Sequence, residues 1–212
     1  MSETRPRRRR WPWIAAGIAV VILVPVAVVG IPILTHQSQG SSNQVETVED
    51  WPTVATAAGD DGRDRTITVT GEDGAVVDTS ALEVGEHLVV SGAGFDGRQG
   101  IYVAICVIPD EPVTKPGPCV GGVPDQEQQD VEAGTVQYAP SNWINDDWAW
   151  KLFGARSYDD VAAGTFAAYI EVADPVGEGF DCRADACGLF TRNDHTALND
   201  RVQDLYVPVH YR

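Results

Sequence analysis

Positive charge is scarce in this sequence once its first ten residues are passed. Five of the 15 Lys and Arg, but only one of the 31 Asp and Glu, fall in MSETRPRRRR. The rest of the chain therefore holds ten cations against 30 acids, a formal charge of −20. A field of that sign repels phosphate backbones, since nucleic-acid binding needs cationic groups that release counterions, so no nucleic-acid partner is expected. The familiar spacings of reactive centres are missing too. There is no C-x-x-C pair of the thiol-oxidoreductase kind, and cysteine spacings of 13 and 5 do not fit a zinc site built from C-x2-C pairs. No G-x-S-x-G elbow occurs, and the four His form no H-x-x-x-H pair. The expectation is a non-enzymatic protein with no catalytic residue, no metal and no cofactor.

What is present first is Ile14–Leu34, 21 residues without a charged or strongly polar side chain. At ~1.5 Å per residue such a helix reaches ~31 Å, about the hydrocarbon thickness of a bilayer. Pro25, Pro32, Gly17 and Gly30 interrupt it, which membrane helices tolerate. Trp11 and Trp13 fall where an interfacial belt would lie, and the Arg cluster just upstream places the N-terminus in the cytoplasm. A cleaved secretory signal is the competing reading. It would usually be shorter and end at a small-x-small site, whereas this run ends Ile33-Leu34-Thr35-His36, and no Cys follows for a lipid anchor. Either way the remainder is exported.

The expected organisation is a basic cytoplasmic N-terminus (1–13), a transmembrane helix (14–34), a flexible acidic linker (35–64) and an extracytoplasmic β domain (65–212). The linker is rich in Gln, Ser, Gly and Asp and shows no lasting apolar period. Its Asp60-Asp61-Gly62-Arg63-Asp64 lacks the ligand spacing of an EF-hand loop and reads as a solvated acidic turn. Beyond it come short alternating or β-branched runs bounded by Gly, Pro and Asp: Thr66–Thr70, Ala75–Val77, His87–Val90, Ile101–Ile108, Gly134–Tyr138, Trp148–Phe153, Phe166–Val172, Cys187–Thr191 and Leu205–Tyr211. Ile101–Ile108 is the longest and is expected to be central. About seven to nine strands, with no amphipathic helix beyond a short turn in Asn193–Asp204, point to an all-β antiparallel sandwich.

The four cysteines, Cys106, Cys119, Cys182 and Cys187, lie on the exported side, where disulfides persist. Three connectivities are open. Local pairing, Cys106–Cys119 with Cys182–Cys187, would let each bridge staple a hairpin or a loop base.

Val89-Val90-Ser91-Gly92-Ala93-Gly94-Phe95 leads into Ile101-Tyr102-Val103-Ala104-Ile105-Cys106, and a second Cys follows at Cys119. Later come Asp181-Cys182-Arg183-Ala184-Asp185-Ala186-Cys187-Gly188 and a last strand around Tyr206-Val207-Pro208-Val209. In this order residues 64–212 resemble the neocarzinostatin-like family: the apoproteins that carry enediyne chromophores, and exported actinobacterial proteins sharing their module. The resemblance implies a seven-stranded immunoglobulin-like sandwich with the same two local disulfides. It also implies a cleft near the first bridge, lined by aromatic rings in the chromophore carriers. Here Val107-Ile108-Pro109 follows Cys106 with no aromatic residue, and the loop to Cys119 is longer than theirs.

The most suggestive constellation is aromatic: Trp143, Trp148, Trp150, Phe153 and Tyr158. In a strand Trp148 and Trp150 would share a face, able to bind a flat ligand or a protein; the plainer alternative has one Trp in the core and the others over a sheet edge. Asn142, Asn145, Asp146 and Asp147 between them look like a polar turn. Thr191-Arg192-Asn193-Asp194-His195-Thr196 is the second candidate, read as a structural loop. The adjacent acids Asp110/Glu111, Asp146/Asp147 and Asp159/Asp160 read as solvated surface. Together these features lead to a single-pass cell-membrane protein whose extracytoplasmic domain contacts a protein of the envelope. The alternative is a small apolar ligand held between the Cys106–Cys119 loop and the Trp143–Trp150 hairpin.

Overall fold

The structure, a computed structural model, describes residues 11–45, 51–121 and 136–212. The chain divides into two compact units, the first ending at His36 and the second beginning at Gln37. In the first, α1 (Trp11–Thr35) is long and apolar enough to cross a membrane. Pro25 and Pro32 fall inside it, and none of its side chains is buried.

The second unit is mostly β. One antiparallel sheet has the order β1 (Val54–Ala58), β2 (Asp64–Gly71), β3 (His87–Ala93), β6 (Phe166–Glu171). The other runs β10 (Leu205–Val209), β9 (Cys187–Asn193), β4 (Ile101–Val107), β5 (Ser141–Ile144). A ribbon of β7 (Val176–Gly177) and β8 (Phe180–Asp181) stands beside them in sequence. Alternation in β2 sends Ile67 and Val69 inward and Thr66, Thr68 and Thr70 outward. These meet Leu88, Val90, Phe166 and Ile170 of their own sheet and Ile101, Val103, Ile105, Leu189, Leu205 and Val207 of the other in one hydrophobic cluster. Residues of both sheets thus build a single core.

β4 is central, as expected, pairing with β9 on one side and β5 on the other. Its apolar run lacks alternation because both faces are covered. Ile101, Val103 and Ile105 enter the main core, while Ala104 and Cys106 pack with Phe190, Ile108, Cys119 and Tyr206 in a second cluster. Both local disulfides, Cys106–Cys119 and Cys182–Cys187, are formed.

Several expectations need correction. Trp148–Phe153 is not a strand: Trp148–Lys151 forms a single helical turn, α2, because Asp147 in extended backbone caps it, accepting from the Ala149 N–H. Ala75–Val77 turns away after an isolated bridge between Val76 and Thr70. Of Gly134–Tyr138, the first two positions lie outside the described residues and 136–138 form no strand. Asn193–Asp204 holds hydrogen-bonded turns and no helix.

The stretch read as a flexible linker is in good part built into the β unit. β1 pairs in register with β2. Ser42 donates its N–H to the Arg201 carbonyl, and Asp60 accepts from Ser41 and Asn43. Polar composition concealed this: Ala55 of β1 enters the main core and Ala57 packs against it, but the residues around them are held by hydrogen bonds rather than by apolar burial.

Candidate functional site

The outward face of β4 carries the candidate site. Tyr102 lies directly across from Trp143 of β5 and, on its other side, from Arg192 of β9. The Tyr102 and Trp143 ring centres are 5.9 Å apart, and the Arg192 guanidinium stands 5.7 Å from the Tyr102 ring. From α2, Trp150 reaches back to within 5.7 Å of Trp143. His195, two residues past β9, sits edge to face against Trp150 at 4.7 Å and Trp143 at 5.2 Å. Its Nδ1 is 2.9 Å from the Tyr102 hydroxyl. Burial, with the Asp194 charge adding and Arg192 opposing, pushes the Tyr102 hydroxyl up to about 12.

Asp194 braces this cluster from beneath. Its buried carboxylate accepts from Trp143 Nε1 at 2.9 Å and Asn145 Nδ2 at 2.8 Å through Oδ2. Through Oδ1 it accepts from the Thr196 N–H at 2.9 Å, the Thr196 hydroxyl at 2.5 Å and Gln99 Nε2 at 3.3 Å. Five neutral donors therefore surround one carboxylate, which is how such a group is tolerated away from water. Gly100 makes room for it, since a Cβ there would stand 1.9 Å from Asp194 Oδ2. Both oxygens of Asp194 are committed to scaffold donors, and His195 Nδ1 is engaged by the Tyr102 hydroxyl. Among the described residues no group of three or more His, Cys, Asp or Glu is placed to hold a metal ion.

The aromatic residues marked from the sequence are divided by the fold. Trp143 is buried and Trp150 half-buried. Trp148 and Phe153 are outside, 66 % and 52 % exposed, together with Leu152 at 72 %. In a helical turn residues two apart point in nearly opposite directions, so Trp148 and Trp150 do not share a face. Tyr158 belongs to the core cluster: its ring packs edge-on against Phe166 and its hydroxyl donates to the Gln99 carbonyl. Sequence reasoning missed Tyr102, Gln99 and Leu152, and read Asn145 only as part of a polar turn. Tyr102 alone carried a signal, as the polar-tipped ring inside the IYVAICVI run.

Farther along the same face, Ala104, Cys106 and Phe190 are buried in a small apolar cluster with Cys119 and Tyr206, and Phe190 and Tyr206 stack at 4.7 Å. The Trp143 region and the first disulfide thus lie on one sheet face. Between β9 and β10, Arg201 and Asp204 form a buried ion pair at 2.9 Å. Burial pushes the Asp204 carboxyl up to about 7, against the opposing pull of Arg201. Two open grooves, of about 500 and 360 Å³, lie elsewhere, along Glu83, Val84 and Arg212.

No protein-family model, curated protein or solved structure matches this chain. The site is therefore read from its own chemistry.

Proposed function

We propose that this chain is a membrane-anchored, extracytoplasmic interaction module of the cell envelope, non-enzymatic, whose immunoglobulin-like, neocarzinostatin-like sandwich contacts a protein partner. The fold part of this reading is supported by two antiparallel four-stranded sheets sharing one core and by two local disulfides. The apolar α1 after an Arg-rich start supports the single-pass topology, with the N-terminus in the cytoplasm.

One observation carries the functional part. Trp148, Leu152 and Phe153 expose large apolar side chains on a turn whose base is held by the Asp147 cap and by Trp150 packed on Trp143 and His195. A rigidly rooted aromatic patch loses little conformational entropy on docking and offers the anchor residues that dominate protein interfaces. The test is affinity capture of the full chain from native membranes in mild detergent. The wild type should bring down a stoichiometric partner, and Trp148→Ser/Phe153→Ser should lose at least ~10-fold of it, an effect of about 1.4 kcal/mol or more. If the wild type always emerges alone, the reading fails.

A second reading takes the buried cluster of Ala104, Cys106 and Phe190, with half-buried Cys119 and Tyr206 packed on it, as the wall of a site for a small apolar ligand. It predicts that protein extracted from its own membranes yields a stoichiometric organic molecule on denaturation. A denatured extract free of any such molecule counts against it.

A further inference from the structure

We infer that the Trp148–Leu152–Phe153 surface receives a basic segment of its partner, one that sets aliphatic or aromatic side chains among Lys or Arg. The inference rests on the interaction-module reading and adds the chemistry of the partner. The three side chains are among the most exposed large apolar groups of the β unit, and they fall within six residues of chain. What they dock against is decided by charge.

After residue 35 the chain has ten cations and 30 acids, so 20 acids stay uncompensated even if every cation neutralises one. The cations are in fact largely spent inside the unit. Arg63, Arg65, Arg98, Arg183, Arg201 and Arg212 all lie in ion pairs with its own carboxylates. Within the α2 turn the one cation, Lys151, is bound to Asp146. Asp147, at the start of the same turn, is exposed. An apolar patch in such a surroundings discriminates among three occupants. A second copy of this chain would bring the same patch with the same excess of negative charge, and an anionic lipid surface would bring like charge as well. Only a basic segment gains from the field while covering the rings, since complementary potentials both steer encounter and reject partners of like sign.

The turn is also preorganised for such a partner. Asn145 ties its start, donating to Asp194 and accepting from the Asp147 N–H. At its end the Ala155 N–H donates to the Trp150 carbonyl, and the Arg156 N–H to that of Trp143.

The test places a photo-crosslinking amino acid at Trp148 or Phe153 of the full chain in its native membrane. Val76, 85 % exposed and outside the turn, serves as the control position. Each substituted chain is first required to keep the wild-type melting temperature. Expected are protein adducts from positions 148 and 153 but not 76. The captured segment, sequenced by mass spectrometry, should carry more Lys and Arg than Asp and Glu. Capture should fall about five-fold or more when salt rises from ~0.05 to ~0.5 M, as screening shortens the reach of the field. A neutral or acidic captured segment, or capture indifferent to salt, overturns this inference and leaves the interaction module standing. Adducts to lipid, to a second copy, or none at all overturn both.

Discussion

Asp194 shows how much one side chain can organise. Its carboxylate joins β5 through Trp143, the α2 approach through Asn145, and the loop after β9 through Thr196. Asp194→Asn would present an amide where five donors converge, leaving at least one buried N–H without an acceptor. Hydrogen bonds to charged groups contribute roughly 1.5–3 kcal/mol each, and an orphaned buried donor costs a similar amount. The expected outcome is a loss of about 2–4 kcal/mol in denaturant unfolding, with tryptophan emission shifted to the red as Trp143 loosens. A loss under about 0.5 kcal/mol would show that Asp194 does not brace the cluster. Only the local part, the Thr196 N–H and hydroxyl on Asp194 that a structural loop would have, was legible from this stretch, because the other partners of Asp194 lie at residues 99, 143 and 145.

At the level of elements, the two sheets protect their edges in the same way. On edge strand β6, the Asn142 side-chain amide donates to the Tyr169 carbonyl at 2.9 Å and accepts from the Tyr169 N–H at 3.0 Å. On edge strand β10, the Gln44 amide does the same to Tyr206, at 2.7 and 2.8 Å. Each makes the twin bonds that another strand would make, so it blocks pairing with a foreign chain at that point. Asn142→Ala and Gln44→Ala should each cost about 1–2 kcal/mol, from two hydrogen bonds lost at a partly covered edge. Both should also raise the aggregation rate during refolding, measured by light scattering. Stability loss without faster aggregation would mean the amides serve only as local hydrogen bonds. The strands themselves were mostly readable: β2, β3, β4, β6, β9 and β10 fall on runs of β-branched or aromatic residues. β1 and β5 escaped notice, the first because Ala and Thr in Val54–Ala58 look like linker, the second because Ser141-Asn142 look like turn.

For the molecule as a whole, the electrostatic design couples stability to pH through Asp204. Its carboxyl is raised from the ordinary range near 3.8 to about 7. The folded state therefore holds that proton more tightly than the unfolded chain does. The stability Asp204 contributes is present below about pH 4 and is lost as pH rises toward 7. Asp204→Asn keeps an oxygen for Arg201 and removes the titration. The variant should flatten the change in melting temperature between pH 4.5 and 7.5 relative to wild type. An unchanged slope would place the titration elsewhere.

The sequence by itself determined the features that depend on local composition. A 21-residue run without a charged or strongly polar side chain dictates a helix able to cross a membrane, because nothing in it can repay exposure of the backbone. Alternating β-branched runs dictate antiparallel strands, and four cysteines at close spacings in pairs favour local bridges. Tertiary structure alone decided which aromatic rings are structural and which face outward. That choice turned on Asp147 capping a helical turn where a strand was expected, which rotated Trp148 away from Trp150. It turned equally on Asp194, whose bonds to Trp143, Asn145 and Gln99 span about fifty and ninety-five residues of chain and so belong to no local pattern.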